Sequence, residues 1–352
     1  MKDVKSGMIR DFFKEVFSAV KCPESLSVPV IDGLLETSLR GVDSHGIRLM
    51  PHYVEAALAG RINLSPRMSC GETSPTTAVL DADNTFGIAA AARAMEKSIE
   101  LAGRQGMGCT VVKNSTHFGA AAIYAHQAAR ADMIGLCFTS VDALVFPFGA
   151  KRTFLGTNPF CFAAPCEGEA PFCLDMATSA ISWNKLRQYK EKGLPLEPGW
   201  AADKEGKACT DVEKAAGLLP AGGYKGYGLG LVIEILCALL AGMPYGEHIP
   251  KMYPLNGEKR QLGHFLMALD VSRFVEVPVF KNRVRTLCDE LRSLPAAGGV
   301  DRVMVAGDPE KAVYAGRTAG GIPVSGEEVK NFRRIAEKLG VDEKKYRPIF
   351  GA

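Results

Sequence analysis

At 352 residues the chain is about twice the length of a typical domain, so two domains or one enlarged domain are expected. Its 47% hydrophobic and 23% charged residues exclude a disordered or low-complexity chain, and 42 Lys+Arg against 39 Asp+Glu leave +3, too balanced to indicate a nucleic acid or a membrane surface as partner. The 37 glycines gather in short polar motifs, a pattern that suggests backbone held close to a ligand.

The opening residues, MKDVKSGMIRDFF, lack the apolar stretch and cleavage site of a signal peptide. Apolar residues at Ile9, Phe12, Phe13, Val16, Phe17 and Val20 predict a helix over 8–20; others are expected over 28–39 and, after the turn GVDSHG, over 51–58, stopping at Gly60. From about Thr73 the character changes. Strands are expected at 78–80, 109–112, 134–139, 172–175, 264–269 and 303–305, and helices at 88–105, 119–130, 226–241 and 279–294. A charged amphipathic helix over 327–339 follows. This alternation predicts an α/β (α+β mixed) fold, with residues 1–75 a helical region packing with 310–352, and 76–309 an α/β catalytic domain.

The longest apolar stretch, 226–246, is split by Glu234 and is too short to span a bilayer. Ten cysteines stand singly without a CxxC, reading as buried, reduced thiols of a cytoplasmic protein, and no Cys/His pair has metal-ligand spacing.

No GxGxxG follows a strand, so the usual dinucleotide fingerprint is absent. The run from Gly222 to Gly230, containing Lys225 and Gly226, reads either as an anion site at a helix N-terminus or as a glycine-rich start for close packing. In Gly41-Val42-Asp43-Ser44-His45-Gly46-Ile47-Arg48, His45 can exchange the proton of a hydroxyl/carbonyl pair and Arg48 can hold a carboxylate, against the alternative of a structural turn. His117 stands in Lys113-Asn114-Ser115-Thr116-His117-Phe118-Gly119, after a strand and before a helix, where α/β folds place chemistry and where the helix dipole disfavours the protonated ring. A satisfied core histidine is the competing reading. His52, His126, His248 and His264 read as structural or surface residues. Thr157 in GTNP and the segment Asp175-Met176-Ala177-Thr178-Ser179 offer hydroxyl and amide groups at strand ends, though each alone is an ordinary turn.

In order, DSHG, NSTHFG, FPFG, GTNP, DMATS, PGWAAD, LLPAGGYKGYGL and LAGMPYG resemble the type-2 malate/L-lactate dehydrogenase family over about residues 40–310. The resemblance implies an NAD(P)-dependent oxidoreductase with a non-Rossmann nicotinamide-binding domain of mixed sheet, a helical domain formed from both chain ends, and a homodimer. It implies hydride transfer between NAD or NADP, with NAD preferred, and C2 of a small 2-hydroxy/2-oxo acid of malate, lactate, sulfolactate or ureidoglycolate type. Cyclic-imine (piperideine-2-carboxylate type) reduction is the alternative. By the same resemblance His117 and His45 are the acid/base candidates. Ser44, Arg48, Tyr53 and Thr157 would bind substrate; Ser140, Asp175, Met176, Ala177, Lys225, Gly226 and Gly307 would bind the cofactor, with no metal. Two departures stand out: the family's substrate arginine falls on Leu49, with Arg48 one place earlier, and its Asn-Ser pair reads Ser140-Val141.

Overall fold

The computed structural model describes residues 2–350. The two chain ends meet in a short antiparallel pair, Lys2–Val4 against Ile322–Val324. The helix Ser6–Ala19 turns Ile9, Phe12, Phe13, Val16 and Phe17 inward, each no more than 1% exposed, because their spacing places them on one helical stripe. Phe12 packs on Phe332 of the helix Gly326–Leu339 and on Tyr346 and Phe350 of Glu343–Phe350, with ring centroids 5.2–6.1 Å apart. The C-terminal elements thus complete a core begun at the N-terminus. The helix expected from residue 28 begins at Glu24, with Pro23 at its N-cap.

The middle of the chain forms a mixed seven-stranded sheet flanked by helices. Its strand order is Ser69–Ser74, Thr77–Asp81, Met107–Ser115, Leu262–Asp270, Met133–Thr139, Phe160–Ala164, Phe172–Met176. Only Thr77–Asp81 and Met107–Ser115 pair in parallel. The late strand Leu262–Asp270 inserts between two early ones, antiparallel to both. Helices Gly87–Gln105 and Ala122–Arg130 lie directly on strand backbone: a Cβ at Gly108 would sit 2.1 Å from the Ser98 carbonyl oxygen, and one at Gly135 would sit 2.7 Å from that of Ala125. Alanines on the facing helices, including Ala94, Ala125 and Ala128, are fully buried for the same reason.

Several expected elements change. Residues 303–305 form no strand; they are a loop leading into the helix Asp308–Gly320, held by Asp308 accepting from the Val305 amide at 3.0 Å. The helix expected from residue 119 begins at Ala122, because Gly119 takes φ +76 in a preceding turn. The helix Tyr224–Glu234 passes into a π-helical segment, Ile235–Leu239. Strands Ser69–Ser74 and Phe160–Ala164, a small three-stranded sheet, and the helix Trp183–Glu191 were not expected from the residue pattern. All ten cysteines are free and seven are buried. Among the described residues no helix is long and apolar enough to cross a membrane.

Candidate active site

A cavity of about 990 Å³ opens between the helical face and the sheet. His117 enters it from the end of the strand Met107–Ser115. The turn before it is pinned: Asn114 donates to both Asp81 oxygens at 3.0 and 3.1 Å, and the Thr116 hydroxyl accepts from the Gly87 amide and donates to the Thr85 carbonyl, both at 2.9 Å. His45 lines the same cavity from the turn Asp43–His45. Gly46 is needed there because a Cβ would meet the Ser38 hydroxyl at 2.0 Å, and that hydroxyl accepts from the Ile47 amide. Arg317 pairs with Asp43 and fixes the turn from the C-terminal side.

The two imidazoles stack, their centroids 5.6 Å apart and their planes 25° from parallel. His45 Nδ1 lies 2.8 Å from the Ser44 hydroxyl, and His117 Nδ1 lies 2.8 Å from the Tyr53 hydroxyl. Burial lowers the pKa of His45 to about 4, aided by the charge of Arg48. Burial likewise holds His117 well below the usual histidine range, reinforced by His45 and Arg260. At neutral pH both rings are therefore uncharged, and each has a nitrogen able to accept a proton.

Tyr53 is 1% exposed and its hydroxyl meets His117 rather than the cavity, in which Tyr53 has no share. Arg48 is exposed and also lies outside the cavity lining, although its charge reaches His45. Leu49 takes the lining position. Arg187 and Asn184, from the helix Trp183–Glu191, face the same space, and Asn184 donates to the Ser44 carbonyl at 3.3 Å. Nothing in the local pattern marked Arg187: that helix is polar and reads as a solvated surface.

Deeper in the cavity, Asp175, Met176, Ala177, Thr157 and Gly307 share the wall. Asp175, exposed on the cavity wall, accepts from the Ala122 amide at 2.9 Å at the start of a helix, and desolvation by the protein around it raises its carboxyl to about 6. Gly307 sits at φ +93, where a Cβ would lie 3.1 Å from the Cys173 carbonyl oxygen. The Ser140 hydroxyl is fully buried, lines the cavity and has no hydrogen-bond partner. Such an orphaned group fits a site that takes a polar ligand. Lys225 and Gly226 lie outside the lining: Lys225 is exposed, and a Cβ on Gly226 would collide with the Ala221 carbonyl oxygen at 2.2 Å. Within one chain, close packing accounts for the glycine at 226.

His264, with no site signal in its neighbourhood, is fully buried beneath the cavity floor. It lies 2.7 Å from the Thr139 hydroxyl and 2.8 Å from that of Ser115, bracing the strand ends that carry Ser140 and His117.

The chain matches the malate/L-lactate dehydrogenase family over residues 4–333. It is 35% identical over 340 residues to a malate dehydrogenase of Pyrococcus abyssi, covering 94% of this chain and 93% of that one. It is 34% identical over 281 residues to the ureidoglycolate dehydrogenase (NAD(+)) of Escherichia coli K12, covering 80% of each. Its structure superposes on sulfolactate dehydrogenase from Methanocaldococcus jannaschii with a TM-score of 0.92 at 32% identity, covering 98% of this chain and 99% of that one.

Proposed function

From the premise that this chain belongs to the malate/L-lactate dehydrogenase family and is a dehydrogenase of the 2-hydroxy acid type, we propose that it oxidises a small 2-hydroxy acid at C2 with His117 as the proton acceptor. The observation that carries this reading is the uncharged, stacked His45–His117 pair at one end of the cavity. A bound nicotinamide supplies the hydride acceptor. Ser140, Asp175, Met176, Ala177 and Gly307 are the residues we assign to hold it.

His117 takes the hydroxyl proton on Nε2, because Nδ1 is engaged by Tyr53. His45, held by Ser44, lies beside it and orients the hydroxyl. We assign the substrate carboxylate to Arg187, which lines the cavity while Arg48 does not. Thr157 offers a further hydroxyl on the same wall.

The likeness to ureidoglycolate dehydrogenase (NAD(+)) supports NAD over NADP. We infer a homodimer from the outer face of the helix carrying Lys225. It exposes Leu231, Val232, Ile235, Leu239 and Leu240 in a row, and a second copy covering it would bury the region around Lys225. The core shared by both chain ends supports grouping residues 1–75 with 310–352. The buried free thiols fit a reducing, cytoplasmic setting.

The test is a spectrophotometric screen of NADH and NADPH oxidation with malate-, lactate-, sulfolactate- and ureidoglycolate-related 2-oxo acids. Turnover of at least one acid, faster with NADH, is expected. Turnover of a cyclic imino acid alone would replace this reading with imine reduction.

A further inference from the structure

His117 forms the partition between two spaces. Besides the large cavity it lines a second, small one of about 10 Å³, bounded also by His52, Tyr53, Arg61, Thr116 and Arg260. That volume is at the lower limit for one water molecule. Most polar atoms around it are already satisfied. The guanidinium of Arg61 donates to the carbonyls of Glu258, Met252 and Lys251, and the Thr116 hydroxyl is engaged on both sides.

Two atoms are not. Arg260 is 3% exposed; its Nε donates to the Pro250 carbonyl at 3.1 Å and its Nη2 to Asp142, but Nη1 has no partner. His52 Nδ1 is buried without one as well. The two residues that carry these unmet atoms line a void of water size together with Tyr53, and leaving the atoms unmet costs more than ordering one water there.

We propose that this small cavity holds one ordered water, and that Tyr53, this water and His52 form a proton path leading away from His117. The path rests on the assignment of His117 as proton acceptor. As the substrate hydroxyl proton binds Nε2, the Nδ1 proton passes to the Tyr53 oxygen, the Tyr53 proton to the water, and a water proton to His52 Nδ1. Each O–H bond lost on one side re-forms on the other, so Tyr53 and the water end unchanged, and one positive charge moves from His117 to His52. His52 packs edge-on against the half-exposed Tyr253 at 4.9 Å, where solvent takes the proton. Burial and the facing charges of Arg260 and Arg61 keep His52 from retaining it. In the reductive direction the same path runs inward.

Two measurements on the full chain test this. A crystal structure at a resolution that orders buried waters should show density bonded to Arg260 Nη1 and His52 Nδ1; a dry cavity overturns the proposal. Single-turnover NADH formation, with NAD⁺ and whichever 2-hydroxy acid the screen identifies, should slow about tenfold in His52→Gln and Tyr53→Phe, less than the ~10²–10⁴-fold loss of a direct proton acceptor. The KM for that acid should be unchanged in His52→Gln, and imidazole in the buffer should restore part of its rate. A wild-type rate in His52→Gln, or a loss that imidazole does not relieve, overturns the path. If the wild-type chain turns over no acid, the functional reading fails, and the water site is then decided by the crystal structure alone.

Discussion

The rings of His45 and His117 stack at 5.6 Å although they come from distant parts of the chain. Two positive imidazoles at that separation repel, and burial removes the water that would screen them. The pair is therefore uncharged near neutral pH. Replacing His117 by Ala should lower kcat ~10²–10⁴-fold with the fold intact, and His45→Ala should lower kcat less while raising the KM for the acid. In the oxidative direction, kcat/KM should show no acid limb near pH 6.5, because His45 titrates at about 4 and His117 well below its ordinary value. A limb centred at 6.5 would contradict the assignment.

Acid stability follows from the same burial. His45 and His52 have folded pKa values of about 4, and His126 and His264 of about 3, against about 6.5 in an unfolded chain. Between these values the unfolded chain binds more protons, so stability is complete above about pH 6.5 and falls as the pH drops toward 4. Asp175, raised to about 6, and Glu234, raised by burial, work in the opposite sense, but they are two groups against five histidines, His117 included. Thermal unfolding followed from pH 7 to pH 4 should show Tm declining steadily through this window.

Arg187 lines the cavity and Arg48 does not, which separates two candidates for the substrate carboxylate. Losing a charge-assisted hydrogen bond costs about 1.5–3 kcal/mol. Arg187→Ala should therefore raise the KM for the 2-oxo acid by roughly 10- to 100-fold. Arg48→Ala should have a smaller effect; the reverse ranking would return the carboxylate to Arg48.

Ser140 and Gly307 should respond to substitution in different ways. The Ser140 hydroxyl has no partner in the free chain, so Ser140→Ala should leave stability within about 0.5 kcal/mol while weakening cofactor binding. Gly307→Ala adds a Cβ at φ +93, pressed 3.1 Å from the Cys173 carbonyl oxygen, and should cost about 1–2 kcal/mol of stability as well as cofactor affinity. Denaturant melts and fluorescence titration with NADH read both effects.

Ile235 is 47% exposed in the row of apolar side chains proposed to meet a second copy. Ile235→Glu would bury a charge at that contact and should convert the dimer to monomer in light scattering.

Much of this molecule is written in local patterns. The stripe from Ile9 to Phe17, the strand leading to His117 and the turn around His45 are legible because helical periodicity and turn chemistry act over a few neighbouring residues. The motif order carries the family in the same way. The partners of those residues were not legible. Tyr53 reaches His117 across 64 positions, and the strand with His264 slides between two strands more than a hundred residues earlier. Arg187 comes to the cavity on a helix whose polar pattern resembles a solvated surface, and Lys225, prominent in its motif, stays outside the cavity of a single chain. Such relationships depend on strand register and on how helices seat against the sheet, which many distant contacts decide together and no short stretch of residues encodes.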